Sequence, residues 1–255
     1  MEQDKRTALV MLSYNGIETT KRFIDHLYKN TCEDDIFLIA IDNGSTDGSA
    51  EYLKEVSEEK DNVLFFASPE NLGVIGGRNH GFEMYKKIEN KPKYLMFLDN
   101  DQYVQEGWFE QHHAVLRESG ASVVGVEAWM MNGRHFPVRM AKKPNDPFTY
   151  VGCGGMLMLG SLPEKIGMFD IVYNPAYFED PDFCFRIIED GGRLAWNYKA
   201  KIVHLPHQTL GKNSRKMTYF NDSYKNFSKK WRTKTFRVQR QCLLNSLRAV
   251  KNSDK

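Results

Sequence analysis

The sequence has few cysteines and no long hydrophobic run. Cys32, Cys153, Cys184 and Cys242 lie far apart with no C-x-x-C spacing, which argues against a zinc site and against the disulfide framework of a small secreted domain. Reduced thiols are expected. The opening "MEQDKRTALVMLSYN" is charged and then apolar for only five residues, too short for a signal-peptide core or a transmembrane helix. Nothing reads as membrane-spanning, and a cytoplasmic address is the expectation. Internal repeats and low-complexity segments are also lacking. Acidic residues are scarce in one region: residues 199–255 hold 15 Lys/Arg against 2 Asp/Glu, whereas residues 1–198 hold 20 against 31. A basic tail follows an acidic body, either as a solvated helix face or as a surface for an anionic partner.

What is present is the composition of a globular chain. Its 255 residues, 41% hydrophobic and 13% aromatic, suffice for one large or two small domains and exclude disorder. Apolar runs of strand length stand at 8–12, 36–42, 63–67, 94–99 and 122–126, separated by helix-length segments at 19–30, 47–59, 73–89 and 107–119. Asp47 or Ser45 is placed to cap the second of these helices. Near-continuous hydrophobic strands alternating with helices predict an α/β fold, a mainly parallel sheet with helices on both faces. In such sheets ligands bind beyond the carboxyl ends of the strands.

Four consecutive strand ends carry polar segments: "SYNG", "DNGSTDGS", "SPENLGVIGGRNHG" and "DND". Each alone reads equally as a turn, a cap or close helix packing; together on one rim they point to a single crevice. In "YLMFLDND" the strand delivers Asp99 and Asp101 to its end. If the backbone stays extended, both carboxylates leave one face while Asn100 points away. Two carboxylates suit a divalent cation with positions open for phosphate oxygens; the bland alternative is a helix cap or loop turn.

The order of these motifs, followed by "FEDPDFCFRI" and "IVHLPHQTLGKNS", resembles the family 2 glycosyltransferases of GT-A fold, especially rhamnosyltransferase-like members. The likeness runs from residue 7 to about 231. It implies sugar transfer from a nucleotide donor to an acceptor hydroxyl with inversion, using Mn²⁺ or Mg²⁺. By the same resemblance, Asp42 accepts a hydrogen bond from the base, which suits the imide N–H of a UDP- or dTDP-sugar. Tyr14 lies against the base or ribose, Arg78 lies near the diphosphate as a fork, and Ser13, Gly76, Asp99 and Asn100 are further donor contacts. Asp180 is the catalytic base, and Glu179 orients acceptor or loop. Asp182 is read as a charge at a helix N-terminus. His204 joins Asp99 and Asp101 as a metal ligand, tilting preference toward manganese, with His207 as competitor. "LPHQTLGKNS", with Pro206, is longer than in many relatives.

Gly152, Gly154 and Gly155 either let sugar or acceptor approach the backbone or mark a bulge. The stretch 129–150 is expected to be a mobile or acceptor-specific loop. The chain divides at 231 into a GT-A catalytic domain, 1–231, and a basic helical tail, 232–255. In the tail region Phe220, Tyr224, Phe227 and Trp231 recur at helical spacing, with Phe236, Leu243, Leu244 and Leu247 beyond. Docking on the catalytic domain is expected up to Trp231, and a peripheral membrane or partner contact after it. The implied role is polysaccharide or glycoconjugate synthesis on a glycan, lipid-linked or protein acceptor, with no nucleic-acid partner. The alternatives are an inactive sugar-nucleotide-binding module and a nucleotidyltransferase of similar fold; "SYNGIETTKR" fits the latter's triphosphate loop poorly.

Overall fold

The computed structural model describes residues 5–205 and 214–253, with side chains through Leu244. The chain opens with β1 (Thr7–Ser13), α1 (Ile17–Asn30), β2 (Ile36–Asp42), α2 (Ser49–Glu59), β3 (Val63–Ala67), α3 (Gly73–Lys86) and β4 (Tyr94–Asp99). β1 pairs in parallel with β2 and β4, and β2 with β3. β1 alternates across the sheet: Ala8 and Val10 enter one apolar cluster with Phe82 and Tyr85 of α3, and Leu9 and Met11 enter another with Phe23 and Leu27 of α1 and Leu53 of α2. Both faces of the strand are buried, which is why it reads as a continuous apolar run. Two glycines bring α3 close to the sheet. A Cβ at Gly77 would lie 2.1 Å from Leu12 and one at Gly81 2.4 Å from Val10.

Beyond β4 come β5 (Gln102–Val104), α4 (Trp108–Ser119), β6 (Val123–Gly125), β7 (Ala128–Met131), β8 (Pro137–Met140), β9 (Tyr150–Val151) and β10 (Met156–Leu159). The stretch expected as a loop at 129–150 holds most of a three-stranded antiparallel sheet, ordered β8-β7-β9. "MLML", not foreseen as a strand, becomes β10, antiparallel to both β4 and β6. The remainder is α5 (Ser161–Ile166), α6 (Glu179–Glu189), β11 (Leu194–Trp196), β12 (Ile202–His204), α7 (Lys216–Trp231) and α8 (Thr235–Ser253). The main sheet runs β11-β6-β10-β4-β1-β2-β3, parallel apart from β10. β12 pairs with β5 in a separate ribbon.

α7 docks through Ser223, Phe227 and Trp231, whose spacing of four places them on one face. Asp182, wholly buried, fastens this arrangement. It accepts from Trp231 Nε1 (2.8 Å), Tyr173 Oη (3.1 Å) and Arg186 Nε (2.9 Å), and Lys230 Nζ lies 2.8 Å away. The residue expected only as a helix-terminal charge is a buried anchor. α8 continues onto the same core, where Val238 and Cys242 are buried beside α6, so apolar packing does not stop at Trp231. Leu247 lies outside the described side chains. Among the described residues no helix is long and apolar enough to cross a membrane.

Candidate active site

A cleft of about 890 Å³ opens along the carboxyl ends of β1, β2 and β4 and is closed on the far side by β7, α6 and the start of α7. Ser13, Tyr14, Arg78, Asp99, Asn100, Asp101, Gly154, Glu179, Asp180 and His204 all line it. Asp42, Gly76 and Gly155 do not.

The first two rim segments are laced together. Asn15 N donates to Ser45 Oγ and Thr46 N to Asn15 Oδ1, both at 2.9 Å. Of the two candidate caps for α2 it is Asp47 that accepts from Ser49 N, at 3.1 Å, while its other oxygen accepts from Ile17 N at the start of α1. Asp42 is buried at the end of β2. Its Oδ2 accepts from Gly44 N and Ser45 N, and its buried Oδ1 has no hydrogen-bond partner. Asn43 ties this end to the next segment by accepting from Leu72 N and donating to Gly73 O. The Ser13 hydroxyl is shared with Thr20 at 2.8 Å, and Thr20 also accepts from Asn100 Nδ2 at 3.0 Å. Gly76 N donates to Asn174 in a smaller depression outside the cleft.

Asp99 ends β4, but the backbone turns at Asn100 and Asp101 instead of staying extended. The two carboxylates converge because of that turn and the β5–β12 ribbon, not because of strand alternation. Gln102 pairs with His204 across the ribbon, and Leu205 N donates to Asp101 O at 3.0 Å. Ligand atoms of Asp99, Asp101 and His204 lie within 4.8 Å of one another. His204 Nε2 stands 3.4 Å from Asp101 Oδ1, a buried oxygen with no hydrogen bond, and His204 Nδ1 contacts Glu127 Oε1 at 3.0 Å. Burial alone would lower the His204 pKa, but Asp101 and Glu127 outweigh it and push it up to about 10. Two carboxylates and an imidazole oriented by an outer carboxylate fit a divalent transition ion, which would take the place of that proton. Pro206 and the competitor His207 lie outside the described residues.

Arg78, 4% exposed, sits between two groups of acids. Its Nη2 donates to Asp99 Oδ1 at 2.7 Å, and its Nη1 is 3.7 Å from Glu179 Oε1. Burial opposes its charge, but Asp99 and the other acids outweigh this and raise its pKa. The guanidinium expected to face a diphosphate is thus engaged by carboxylates of the protein.

Glu179 and Asp180 lie in the first turn of α6. They follow Tyr177 and Phe178, both with positive φ, 75° and 68°. Two consecutive bulky residues in that region store backbone strain of a kind that clusters at functional sites. Burial, then the neighbouring Asp180, push Glu179 up to about 8; burial likewise raises Asp180, against the lowering pull of Arg78. Glu179 Oε2 and Asp180 Oδ1 are buried without partners.

The glycines of "GCGG" divide by role. A Cβ at Gly154 would lie 2.6 Å from Asp99 Oδ2, whereas Gly155, at φ +83°, packs on Val126 and donates to Phe97 O as part of the turn into β10. Sequence reasoning missed Thr20, Gln102 and Glu127. Gln102 Oε1 accepts from Asp99 N at 2.9 Å, and Glu127 orients His204. No motif marks any of the three.

The family model described as Glycosyl transferase family 2 matches residues 8–168. The chain is similar to a poly(ribitol-phosphate) beta-glucosyltransferase of Bacillus spizizenii, 24% identical over 163 residues, 63% of this chain and 25% of that one. It is also similar to glycosyltransferase GlyA of Streptococcus pneumoniae, 28% identical over 209 residues, 82% of this chain and 26% of that one. The chain thus spans about a quarter of the length of these two relatives. Among solved structures, GalNAc-T7 with UDP, GalNAc and Mn²⁺ shares the fold at a TM-score of 0.73 and 15% identity, over 92% of this chain and 49% of that one.

Proposed function

The chain belongs to glycosyl transferase family 2 and has the GT-A fold, and we propose that it transfers a sugar from a UDP- or dTDP-sugar to an acceptor hydroxyl with inversion at the anomeric carbon, in polysaccharide or glycoconjugate synthesis. The observation that carries this reading is one cleft holding the Asp99, Asp101 and His204 cluster on one wall and Glu179 and Asp180, each with one buried carboxylate oxygen without a hydrogen bond, on another. Asp42 Oδ1, buried and unpartnered, is an acceptor for a base N–H. Tyr14 lines the cleft and offers a ring to base or ribose. Two neighbours support the assignment: GalNAc-T7 is solved with UDP, GalNAc and Mn²⁺, and a relative glucosylates poly(ribitol-phosphate).

Asp99, Asp101 and His204 would hold the divalent ion, and the imidazole nitrogen favours Mn²⁺ over Mg²⁺. When bound, such an ion offsets the negative charge that develops on a leaving diphosphate. Burial and the neighbouring Asp180 push Glu179 up to about 8, so near neutral pH the pair holds a proton between two carboxylates that cannot both ionise freely. Asp180 takes the proton of the acceptor hydroxyl as that oxygen attacks opposite the departing nucleotide; its raised pKa makes it a stronger base than a solvated aspartate. Arg78 holds Asp99 in place and balances the acids beneath the cleft.

The test is Asp180→Asn. Donor binding should be unchanged while kcat falls by about 10² to 10⁴. Donor affinity collapsing together with the rate would make Asp180 a donor ligand and remove it as base.

A further inference from the structure

We infer that the exposed side of α7 and α8 docks on an anionic lipid surface, holding the cleft close to the headgroups. Lys225, Lys229 and Arg232 are exposed and follow one another at spacings of four and three along the solvent stripe of α7 and its cap. α8 buries Thr235, Val238 and Cys242. On its opposite side Phe236, Arg240 and Leu244 recur every fourth residue, with Phe236 82% exposed and Leu244 40% exposed.

Part of the charge on this surface is spent within the protein and part is not. Lys234 and Arg237 pair with Glu189, Lys230 with Asp170 and Asp182, and Lys225 weakly with Asp222 at 3.4 Å. Lys229, Arg232 and Arg240 have no ion pair among the described residues. An unpaired cation, Arg240, on the same stripe as the exposed Phe236, with the unpaired Lys229 and Arg232 just ahead in the chain, matches a layer that offers anionic headgroups above an apolar interior. A soluble polyanion would use the cations and leave Phe236 in water.

The placement has a consequence for the site. Lys216, Tyr219 and Phe220, at the start of α7, line the cleft. The helix of 16 residues spans about 24 Å, so a docked molecule keeps its cleft mouth within about one helix length of the surface.

The experiment is co-sedimentation of the full chain with phosphatidylcholine vesicles, with and without added phosphatidylglycerol. Binding is expected only to the anionic vesicles at low salt and should fade toward about 0.5 M salt. At about fivefold per cation, Lys229→Gln, Arg232→Gln and Arg240→Gln together should weaken it roughly 100-fold. Phe236→Ala should weaken it about tenfold while leaving retention on a heparin column unchanged. If the triple variant melts lower than the parent, Phe236→Ala and Arg240→Gln singly carry the test, since both change exposed side chains. Equal binding to neutral vesicles overturns the inference. So does heparin retention without vesicle binding, which would assign the surface to a soluble polyanion, and so does a Phe236→Ala variant that sediments like the parent. Donor hydrolysis is a separate readout, so the outcome is independent of the proposed reaction.

Discussion

Replacing Gly154 with alanine tests the metal cluster by geometry instead of by deleting a ligand. The new Cβ would lie 2.6 Å from Asp99 Oδ2 and 3.1 Å from both amide atoms of Gln102, against the 3.4 Å at which ordinary contact begins. Asp99 must therefore move by about 0.8 Å, several times the ±0.2 Å or so that ligand distances tolerate. It cannot yield freely, because Arg78 holds its other oxygen at 2.7 Å and Gln102 holds its backbone N–H at 2.9 Å. Disturbing a supporting partner costs about 10- to 100-fold in metal affinity, and moving the ligand itself should cost at least that. The assay is thermal unfolding with UDP present, with and without Mn²⁺. An ion at about 100 times its Kd stabilises by about 2.7 kcal/mol, and at its Kd by about 0.4 kcal/mol. For a chain of 255 residues those figures correspond to shifts of roughly 8 °C and 1 °C. Gly152→Ala is the control, since its Cβ would meet nothing closer than 3.8 Å, and its Mn²⁺ shift should match the parent's. A Gly154→Ala protein with the full Mn²⁺ shift would refute the geometric reasoning. A parent with no shift would remove the metal itself.

Asp182→Asn removes the charge that Lys230 and Arg186 face and an acceptor for Trp231 and Tyr173. Breaking a buried pair from one side costs about 3–5 kcal/mol, so Tm should fall by roughly 10 °C; a loss under about 1 kcal/mol would mean that the anchor carries little. Glu179→Gln addresses pH. The folded-state pKa of Glu179 is raised from 4.5 to about 8, so the native state binds its proton more tightly than the unfolded chain does. That stabilisation is fully present below pH 4.5 and is lost as pH rises through about 8. The neutral isostere should flatten the decline and make the protein more stable than the parent above pH 8, read by denaturant midpoints across the interval. Parallel stability profiles for the two proteins would show that Glu179 ionises without cost in the fold.

The parallel half of the fold was legible because β2 and β4 are buried on both faces and the half-exposed edge strand β3 is still apolar throughout: the runs at 36–42, 63–67 and 94–99 coincide with β2, β3 and β4. β10 escaped notice because four apolar residues between glycines carry no period of their own; its place between β4 and β6 is fixed by partners distant in sequence. The same physics divides the site. Asp99, Asp101, Asp180 and His204 stand out in the chain because they end apolar runs or occupy acidic motifs. Glu127 is 77 residues from His204, and Thr20 is 80 from Asn100, so the contacts that orient those groups leave no local pattern. Arg78 is the instructive intermediate. Its glycine-rich setting marked it as functional, yet only the fold reveals that its charge is directed at Asp99 and Glu179. Arg78 and Lys216 against Asp99, Asp101, Glu127, Glu179 and Asp180 leave the cleft short of positive charge, and protons taken up by Glu179 and His204, whose pKa values are both raised, narrow the difference in the free protein. A bound cation would release the proton on His204, and the metal-dependent step in stability sought with Gly154→Ala follows from that exchange.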